Sequence, residues 1–574
     1  MTSSIIVRRP VHSENGLDTL HPLLQRIYSA RSITHQDQLS TELAELLPFR
    51  LLKNIDQATV RLAQAVQQNQ SILIVGDFDV DGATSSAVGV AALKAMGATQ
   101  VSYLVPNRFT YGYGLTPEIV DVAAQSQPQL IITVDNGISS HAGIERAMAL
   151  GIDVIITDHH LPGNTLPKAF AIVNPNQPGD EFPSKNLAGV GVIFYVMLAL
   201  RSYLKERGWF EEKNIPCPKM SDYLDLVALG IIADVVPLDK NNRILVHQGL
   251  RRIRAGHMCA GIAALLQISG RKHENIKAVD LGFAVGPRLN AAGRLDDMSL
   301  GIACLLSPSI PAALNLARQL DDLNKERRII ESQMKQEAFD AIEELHFSQE
   351  LPMGLCVYEE NWHQGVVGLV AARVKERVHR PVIAFAKVDN GTLKGSARSI
   401  TGLHIRDTLE AIAVKHPDLI SKFGGHAMAA GLSLPSEKYE EFVRAFAEEV
   451  ALRISQNDVQ GKLETDGELT PSELKLEIAD LLNELGPWGQ GFPEPLFDGR
   501  FNLVSQRLVG GKHLKLVLQV PETDHYVDAI AFNVDVDEWP NHNCRSILVV
   551  YRMDVNEFNN RRRLQLIVEY LQSG

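Results

Sequence analysis

Short, almost wholly apolar runs alternate with amphipathic segments from residue 71 onward. Ser71–Val75 (SILIV), Gln100–Val105, Leu130–Val134 (LIITV) and Val154–Thr157 (VIIT) are strand-length. Helix-like Ala83–Met96 and Ser140–Ala149 lie among them. Strands that are apolar on both faces belong in a parallel sheet covered by helices on each side. The pattern therefore predicts a doubly wound α/β domain over 70–310, with ligands expected at the carboxyl ends of its strands. Next, Leu316, Leu320, Leu323, Ile330, Met334 and Ile342 fall near helical spacing around the polar stretch DDLNKERR, which predicts one long linking helix over 311–350. A glycine-rich second αβ region follows at 351–455, with strand-like Gly354–Tyr358 and Pro381–Ala386. Over 460–574 the runs at 513–520, 527–532, 546–555 and 564–571 alternate like strands and predict a small barrel of the OB-fold type. Residues 1–69 are expected to be a helical extension.

Composition narrows the class. The 574 residues suggest three to four domains. Apolar residues at 45% and charged residues at 22% are those of an ordinary soluble protein. No run approaches the roughly 20 apolar residues of a membrane helix, and the first residues lack the apolar run of a signal peptide. Five scattered cysteines without a CxxC pair argue against a disulfide framework or a zinc site and for the cytoplasm. A net charge of −12 argues weakly against a nucleic-acid partner. The segment from His363 to Ala430, however, holds ten Lys/Arg against five Asp/Glu, so a basic region exists locally.

The chemistry concentrates at strand ends. SILIV leads into Gly76-Asp77-Phe78-Asp79-Val80-Asp81-Gly82, LIITV into Asp135-Asn136-Gly137, and VIIT into Asp158-His159-His160. If the first run stays extended, its alternating aspartates share one direction. Like charges this close resist burial unless a cation compensates them. Oxygen ligands with one or two imidazoles suit Mn²⁺ or Mg²⁺ better than zinc. Of the adjacent histidines, one is expected to ligate metal while the other faces the substrate. Asp225 and Asp234 bracket a further apolar run and join the candidates. Two ions bridged by one carboxylate, for which Asp135 is chosen, would support phosphoester hydrolysis.

These motifs, in this order, resemble the DHH phosphoesterase superfamily, and within it the RecJ family of single-strand-specific 5′-to-3′ DNA exonucleases. The resemblance rests on GDFDVDG, VDNG, DHH and ADVVPL, then on GPRLNAAGR (286–294), HQGVVGLVAAR (363–373), GSARS (395–399) and FGGHAMAAG (423–431), and on the C-terminal barrel. It implies that Asp79 and Asp81 bind two ions, that Asp135 bridges them, and that His159 and Asp234 complete the shells. Asp77 stands where family pyrophosphatases have a histidine, so ligand, supporting residue and base all remain open for it. Asp225 is a further candidate ligand. Asp158 is expected to orient a histidine, and His160 to contact the scissile phosphate. Across the second region His363, Gln364, Arg373, Ser396, Arg398, Gly424 and Gly425 are expected to hold phosphate, with His426 reaching the scissile group. Arg288, Asn290 and Arg294 are expected to line a cleft too narrow for duplex DNA, and Arg108 to join the phosphate grip. Tyr111 and Tyr113 are candidates for base stacking, and Arg561, Arg562 and Arg563 for a basic hairpin tip.

The expected activity is hydrolysis of single-stranded DNA from its 5′ end to 5′-mononucleotides, in DNA repair and recombination. Single-stranded-DNA-binding protein and a helicase are the implied protein partners. A phosphodiesterase acting on short oligonucleotides or cyclic dinucleotides, or a pyrophosphatase, would need no third domain. A non-catalytic scaffold would be free to lose ligands, yet every motif position here carries a competent residue.

Overall fold

The computed structural model describes residues 5–11, 16–107, 110–348, 351–388, 391–558 and 561–574. They form two compact units: Met1–Val7 with Asp322–Leu463, and Arg8–Asp321 with Glu464–Gly574. Strands are numbered along the chain from β1 (Ile5–Arg8).

The larger unit is built on β2 (Ile72–Gly76), β3 (Val101–Leu104), β4 (Leu130–Val134), β5 (Asp153–Thr157) and β6 (Ala171–Val173). All neighbours pair in parallel, in the order β3-β2-β4-β5-β6. Every residue of β2 and β4 is buried, as their unbroken apolar runs require. The chain leaves β2 toward β3 on one side and returns to β4 on the other. The loops after β2 and β4 therefore part, opening the crevice expected where strand order reverses. The helix Val80–Ala95 follows β2 and is rich in Gly, Ala and Ser, which lets it press close to the sheet. A Cβ on its Gly89 would lie 2.7 Å from Ile74 Cδ1. The helices Gly189–Glu206 and Leu224–Asp234 pack against it, so it is enclosed on nearly every side.

The region 1–69, expected to be a helical extension, combines helices with one short strand. Its described part holds β1, the helix Pro22–Ser29, three 3₁₀ turns and the helix Ile55–Gln67. Polar anchors replace continuous helix there: Arg31 Nη1 meets Asp466 Oδ1 at 2.7 Å with both side chains buried, and Tyr28 stacks on Trp488 at 6.3 Å.

The smaller unit contains most of the helix Ile310–Ser348, and the division between units falls inside that helix at Asp321/Asp322. Its sheet comprises β7 (Leu355–Tyr358), β8 (Val382–Val388), β9 (Thr392–Arg398), β10 (Lys422–Gly425) and β11 (Ala429–Pro435), ordered β10-β11-β9-β8-β7. One face carries an apolar core that includes Phe385, Leu393, Leu432 and Phe446. Strand β12 (Lys462–Thr465) pairs with β1.

Strands β13 (Phe497–Val509), β14 (His513–Gln519), β15 (Tyr526–Ala531), β16 (Ser546–Phe558) and β17 (Arg561–Ser573) close a barrel in the order β13-β14-β15-β17-β16. Closure leaves no unpaired strand edge. Sequence pattern did not single out β13, because its second half is solvent-exposed and alternates weakly. The three arginines expected at a basic hairpin tip begin the second strand of the β16–β17 hairpin and are exposed. Arg561, Arg562 and Arg563 lie within β17 opposite Phe558, Glu557 and Asn556, and Arg562 is ion-paired with Asp480.

Candidate active site

Strand β2 ends at Gly76, but the aspartates beyond it do not continue in an extended run. Asp79 caps the helix Val80–Ala95, its Oδ1 accepting the Gly82 N–H at 3.0 Å, and Asp81 lies in the first helical turn. The turn is tight: a Cβ on Gly82 would lie 2.5 Å from the Asp77 carbonyl oxygen. Asp81 is 1% exposed and accepts from the N–H groups of Gly189 (2.7 Å) and Val190 (2.9 Å), where the next long helix begins. Asp135 follows β4 with φ of +60°, an unfavourable conformation for a non-glycine residue. Asp234 is the last residue of the helix Leu224–Asp234.

His159, after β5, joins these pieces. Its Nε2 lies 3.1 Å from Asp135 Oδ1, 3.5 Å from Asp234 Oδ2 and 4.0 Å from Asp81 Oδ2. Three groups have ligand atoms close enough to share an ion: Asp77, Asp79 and Asp135; Asp81, His159 and Asp234; and Asp135, His159 and His160. Asp135 Oδ1, His159 Nε2 and Asp234 Oδ2 are buried and make no hydrogen bond within the protein. Buried polar atoms are ordinarily satisfied. Three orphaned ligand atoms facing one another fit cations, and the carboxylate-rich donor set fits Mn²⁺ or Mg²⁺.

The electrostatics say the same. Burial, then the charge of Asp234, pushes Asp81 up to about 8. Burial and then Asp79 push Asp234 up to about 7, and burial with Asp81 and Asp79 holds Asp135 well above the carboxylate range. Burial and the charge on His160 push His159 down, which keeps its imidazole neutral and able to ligate. Because the carboxyls are raised above their unfolded value of about 4, their contribution to stability is complete below that pH and is lost as pH rises through about 8. The chelated protein is therefore expected to lose melting temperature between mildly acidic pH and pH 8, and Mn²⁺ to restore it most strongly at the alkaline end. Scanning calorimetry across pH with and without Mn²⁺ checks this; a Mn²⁺ effect that shrinks as pH rises would contradict the cluster's role.

Asp158 serves a different purpose. Its Oδ1 accepts from the His159 and His160 N–H groups (2.7 and 3.1 Å) and lies 2.7 Å from His160 Nδ1, while Oδ2 accepts from Ile138 N–H. Burial alone would raise this carboxyl, but the hydrogen bond and charge of His160 outweigh it and bring it down to about 2. Burial likewise opposes charge on His160, yet Asp158 raises it to about 9, so His160 is a cation at neutral pH. Asn174 and Asn176 donate to the His160 and His159 carbonyls at 2.9 and 2.6 Å. The Tyr113 hydroxyl lies 3.2 Å from the Asp135 carbonyl and 3.3 Å from His160 Nδ1.

Asp225 does not join the cluster. It sits at the opposite end of the helix from Asp234, about 14 Å away at helical rise, and accepts from Cys259 N–H at 2.7 Å. Several supporting residues escaped the sequence reading. A Cβ on Gly189 would lie 2.9 Å from Asp81 Oδ2, and one on Gly230 2.9 Å from Asp81 Oδ1. The helix Gly286–Leu295, which carries Asn290 and Arg294, presses Gly293 against the Phe78 carbonyl. Arg288 on that helix is instead held by Asp321 at 2.8 Å and by the Ala284 carbonyl. Arg108 lies outside the described residues.

The comparisons with known proteins agree with this geometry. Residues 71–231 match the model of the DHH family N-terminal domain, 352–452 the DHHA1 domain and 465–570 the RecJ OB domain. Over 551 residues, 96% of each chain, the protein is 55% identical to the single-stranded-DNA-specific exonuclease RecJ of Salmonella typhimurium. The chain belongs to the RecJ family. A solved structure of RecJ from Thermus thermophilus with Mn²⁺ superposes with a TM-score of 0.81 at 28% identity, covering 99% of this chain and 79% of that one. The same enzyme with Mg²⁺ gives 0.75 at 27% identity, covering 99% and 78%.

The RecJ-family DHHA1 domain gathers most of the residues expected to hold phosphate. Register across β9, β11 and β10 places Ser396 beside Gly431 and Gly424, and Arg398 beside Ala429. The His426 N–H donates to the Ala429 carbonyl at 2.8 Å, which brings His426 level with Arg398. Gly424 and Gly431 leave the sheet surface bare at this point, while Gly425 turns the chain with φ of +146°. Arg398 Nη1 donates to Ser396 Oγ at 3.0 Å. The helix Val367–Val378 begins directly above them, since a Cβ on Gly368 would lie 2.7 Å from Arg398 Nη2. His363 and Gln364 precede that helix, and Gln364 accepts from Lys394, another residue of β9, at 3.3 Å. Arg373, two turns down the helix, is engaged by Glu331 and Glu376 and does not reach this face.

Proposed function

We propose that this protein is a metal-dependent exonuclease that degrades single-stranded DNA from the 5′ end to 5′-mononucleotides, in DNA repair and recombination. The observation that carries the reading is the set of orphaned, mutually facing ligand atoms on Asp135, His159 and Asp234. Family membership supports the substrate. Mn²⁺ or Mg²⁺ bound as a pair supplies Lewis acidity and activates water at such a site. Asp77, Asp79 and Asp135 would hold one ion, and Asp81, His159 and Asp234 the other, with Asp135 shared. His160, kept cationic by Asp158, is suited to hydrogen-bond a phosphate oxygen and to protonate the departing 3′ oxygen. Ser396 and Arg398, beside the positive N-terminal end of the helix Val367–Val378, form an anion-binding face suited to the terminal 5′-phosphate. Single-stranded-DNA-binding protein and a helicase are the protein partners we place with it, in the cytoplasm, on the strength of its DNA substrate.

The test is digestion of single-stranded DNA labelled at either end, beside duplex DNA and cyclic dinucleotides, with Mn²⁺. Immediate release of labelled mononucleotide from the 5′ end of the single strand alone supports the reading. Cleavage of only the small nucleotide would overturn it. Arg398→Ala is expected to raise KM for 5′-phosphorylated strands about tenfold or more, as loss of a charge-assisted phosphate contact should, with kcat largely retained. An unchanged KM would remove Arg398 from the phosphate grip.

A further inference from the structure

Residues 240–273 contain seven Lys/Arg and no Asp/Glu, in a chain whose net charge is −12. Part of this charge is spoken for. Arg243 is buried, and Lys240, Arg252 and Arg271 pair with Glu45, Asp222 and Asp280. Arg251, Arg254 and Lys272 have no carboxylate partner among the described residues, and Arg251 and Lys272 are exposed. They are gathered at one place. Arg251 and Arg254 occupy the last turn of the helix Lys240–Arg254, against which the turn His273–Asn275 packs. Arg254 Nε donates to the Ile276 carbonyl at 2.9 Å, and a Cβ on Gly256 would lie 3.7 Å from His273 Nε2. The negative end of a helix offsets only about half a charge. A net positive surface therefore remains.

This surface is separate from the metal cluster yet continuous with it. The helix Lys240–Arg254 runs antiparallel to Leu224–Asp234, with Gly249 pressed on the Leu224 carbonyl. Its basic end thus lies about 15 Å from Asp234 by helical rise. A cavity of about 420 Å³ bridges that distance. It is lined by Val235, the residue after Asp234, and also by Arg254, Lys277, Val279, Phe283 and Trp488. Phe283 is 75% exposed, Val235 61% and Val279 43%, so the groove has open apolar side chains leading to Arg254 at its basic end, while Lys277 is paired with Asp554 and Glu484 and Glu494 also contribute to the lining. An apolar track for bases that ends at cations for phosphates, here Arg254 with Arg251 and Lys272 beyond it, is what a single strand requires.

We propose that this groove and the Arg251–Arg254–Lys272 surface form a second nucleic-acid site, which carries the unreacted length of the single strand. The proposal rests on the exonuclease reading above. An acidic protein would use the charges, but it would not explain why an apolar groove leads from them to the residue beside a metal ligand.

Binding of a strand of about 20 nucleotides, with divalent ions chelated, tests it across a series of salt concentrations. Each phosphate contact on a single strand contributes about 0.7 to the slope of log K against log salt. Arg251→Gln with Lys272→Gln is expected to make that slope shallower by about 1.4. Phe283→Ala, at an exposed position, is expected to weaken binding at least about fivefold without changing the slope. Both variants should hydrolyse a hexanucleotide as the unmodified protein does. Unchanged slope and affinity with intact hexanucleotide hydrolysis would overturn the proposal and leave an acidic protein as the partner of the basic surface. If the unmodified protein hydrolyses no DNA, the exonuclease reading fails and the proposal falls with it.

Discussion

Asp135→Asn is expected to lower kcat by more than about a hundredfold, beyond what loss of an outer partner of a metal ligand costs, while making the chelated protein more stable. Asparagine has the shape of aspartate and tolerates the left-handed conformation at φ +60°, so the backbone after β4 has no reason to move. What it removes is charge. The Asp135 carboxyl sits among Asp77, Asp79, Asp81 and Asp234, and burial together with their repulsion disfavours its ionised form. Without cations that repulsion is relieved by a neutral side chain. With cations the same change removes the one carboxylate that belongs to the Asp77–Asp79 group and also faces His159 Nε2, at 3.1 Å. Two measurements separate these effects: kcat at saturating Mn²⁺, and the melting temperature in chelator. Substantial hydrolysis by the variant with Mn²⁺ would refute the shared-ligand role, and a lower melting temperature in chelator would refute the electrostatic account.

Gly293→Ala should damage the site from a distance. In an ordinary helix interior this change stabilises by about 1 kcal/mol. Here the new Cβ would stand 1.8 Å from the Phe78 carbonyl oxygen, inside any non-bonded contact. Neither partner is the end of a flexible side chain, so a backbone must shift. Phe78 lies between Asp77 and Asp79, and the shift is transmitted to both. We expect about 1–3 kcal/mol of destabilisation and a fall in kcat of about a hundredfold, the cost of misplacing reacting groups by about 1 Å. Gly163→Ala is the control, because nothing lies within 4 Å of its added Cβ. Wild-type kcat in Gly293→Ala would show that the Asp77–Asp79 turn is not braced by this helix.

The comparison of these residues shows where sequence pattern carries and where it stops. The apolar runs of β2, β4 and β5 were legible because a strand buried on both faces is apolar at nearly every position. Each run ends in acidic or imidazole residues, and parallel strands share one carboxyl edge, so the convergence of Asp77, Asp135 and His159 followed from pattern and topology together. The DHH triplet and the glycine segments of the second domain were legible through their resemblance to a family, because they are contiguous in the chain.

Other features depend on distances that no local pattern encodes. Asp225 and Asp234 look equivalent as the two ends of one apolar run, but the run is a buried helix, which puts its ends about 14 Å apart. Asp81 would share one direction with Asp77 and Asp79 only in an extended run; instead it lies in the first turn of a helix and is held by Gly189 and Val190, more than a hundred residues away. Arg288 and Arg373 have the residue type for a phosphate contact, yet nearby carboxylates already engage them. By itself, then, the sequence determined where the buried strands fall along the chain and the kind of chemistry at their ends, because both follow from local periodicity and residue type. Tertiary structure alone decided which carboxylates share an ion and which cations stay unneutralised, because those depend on close approach between segments remote in the chain.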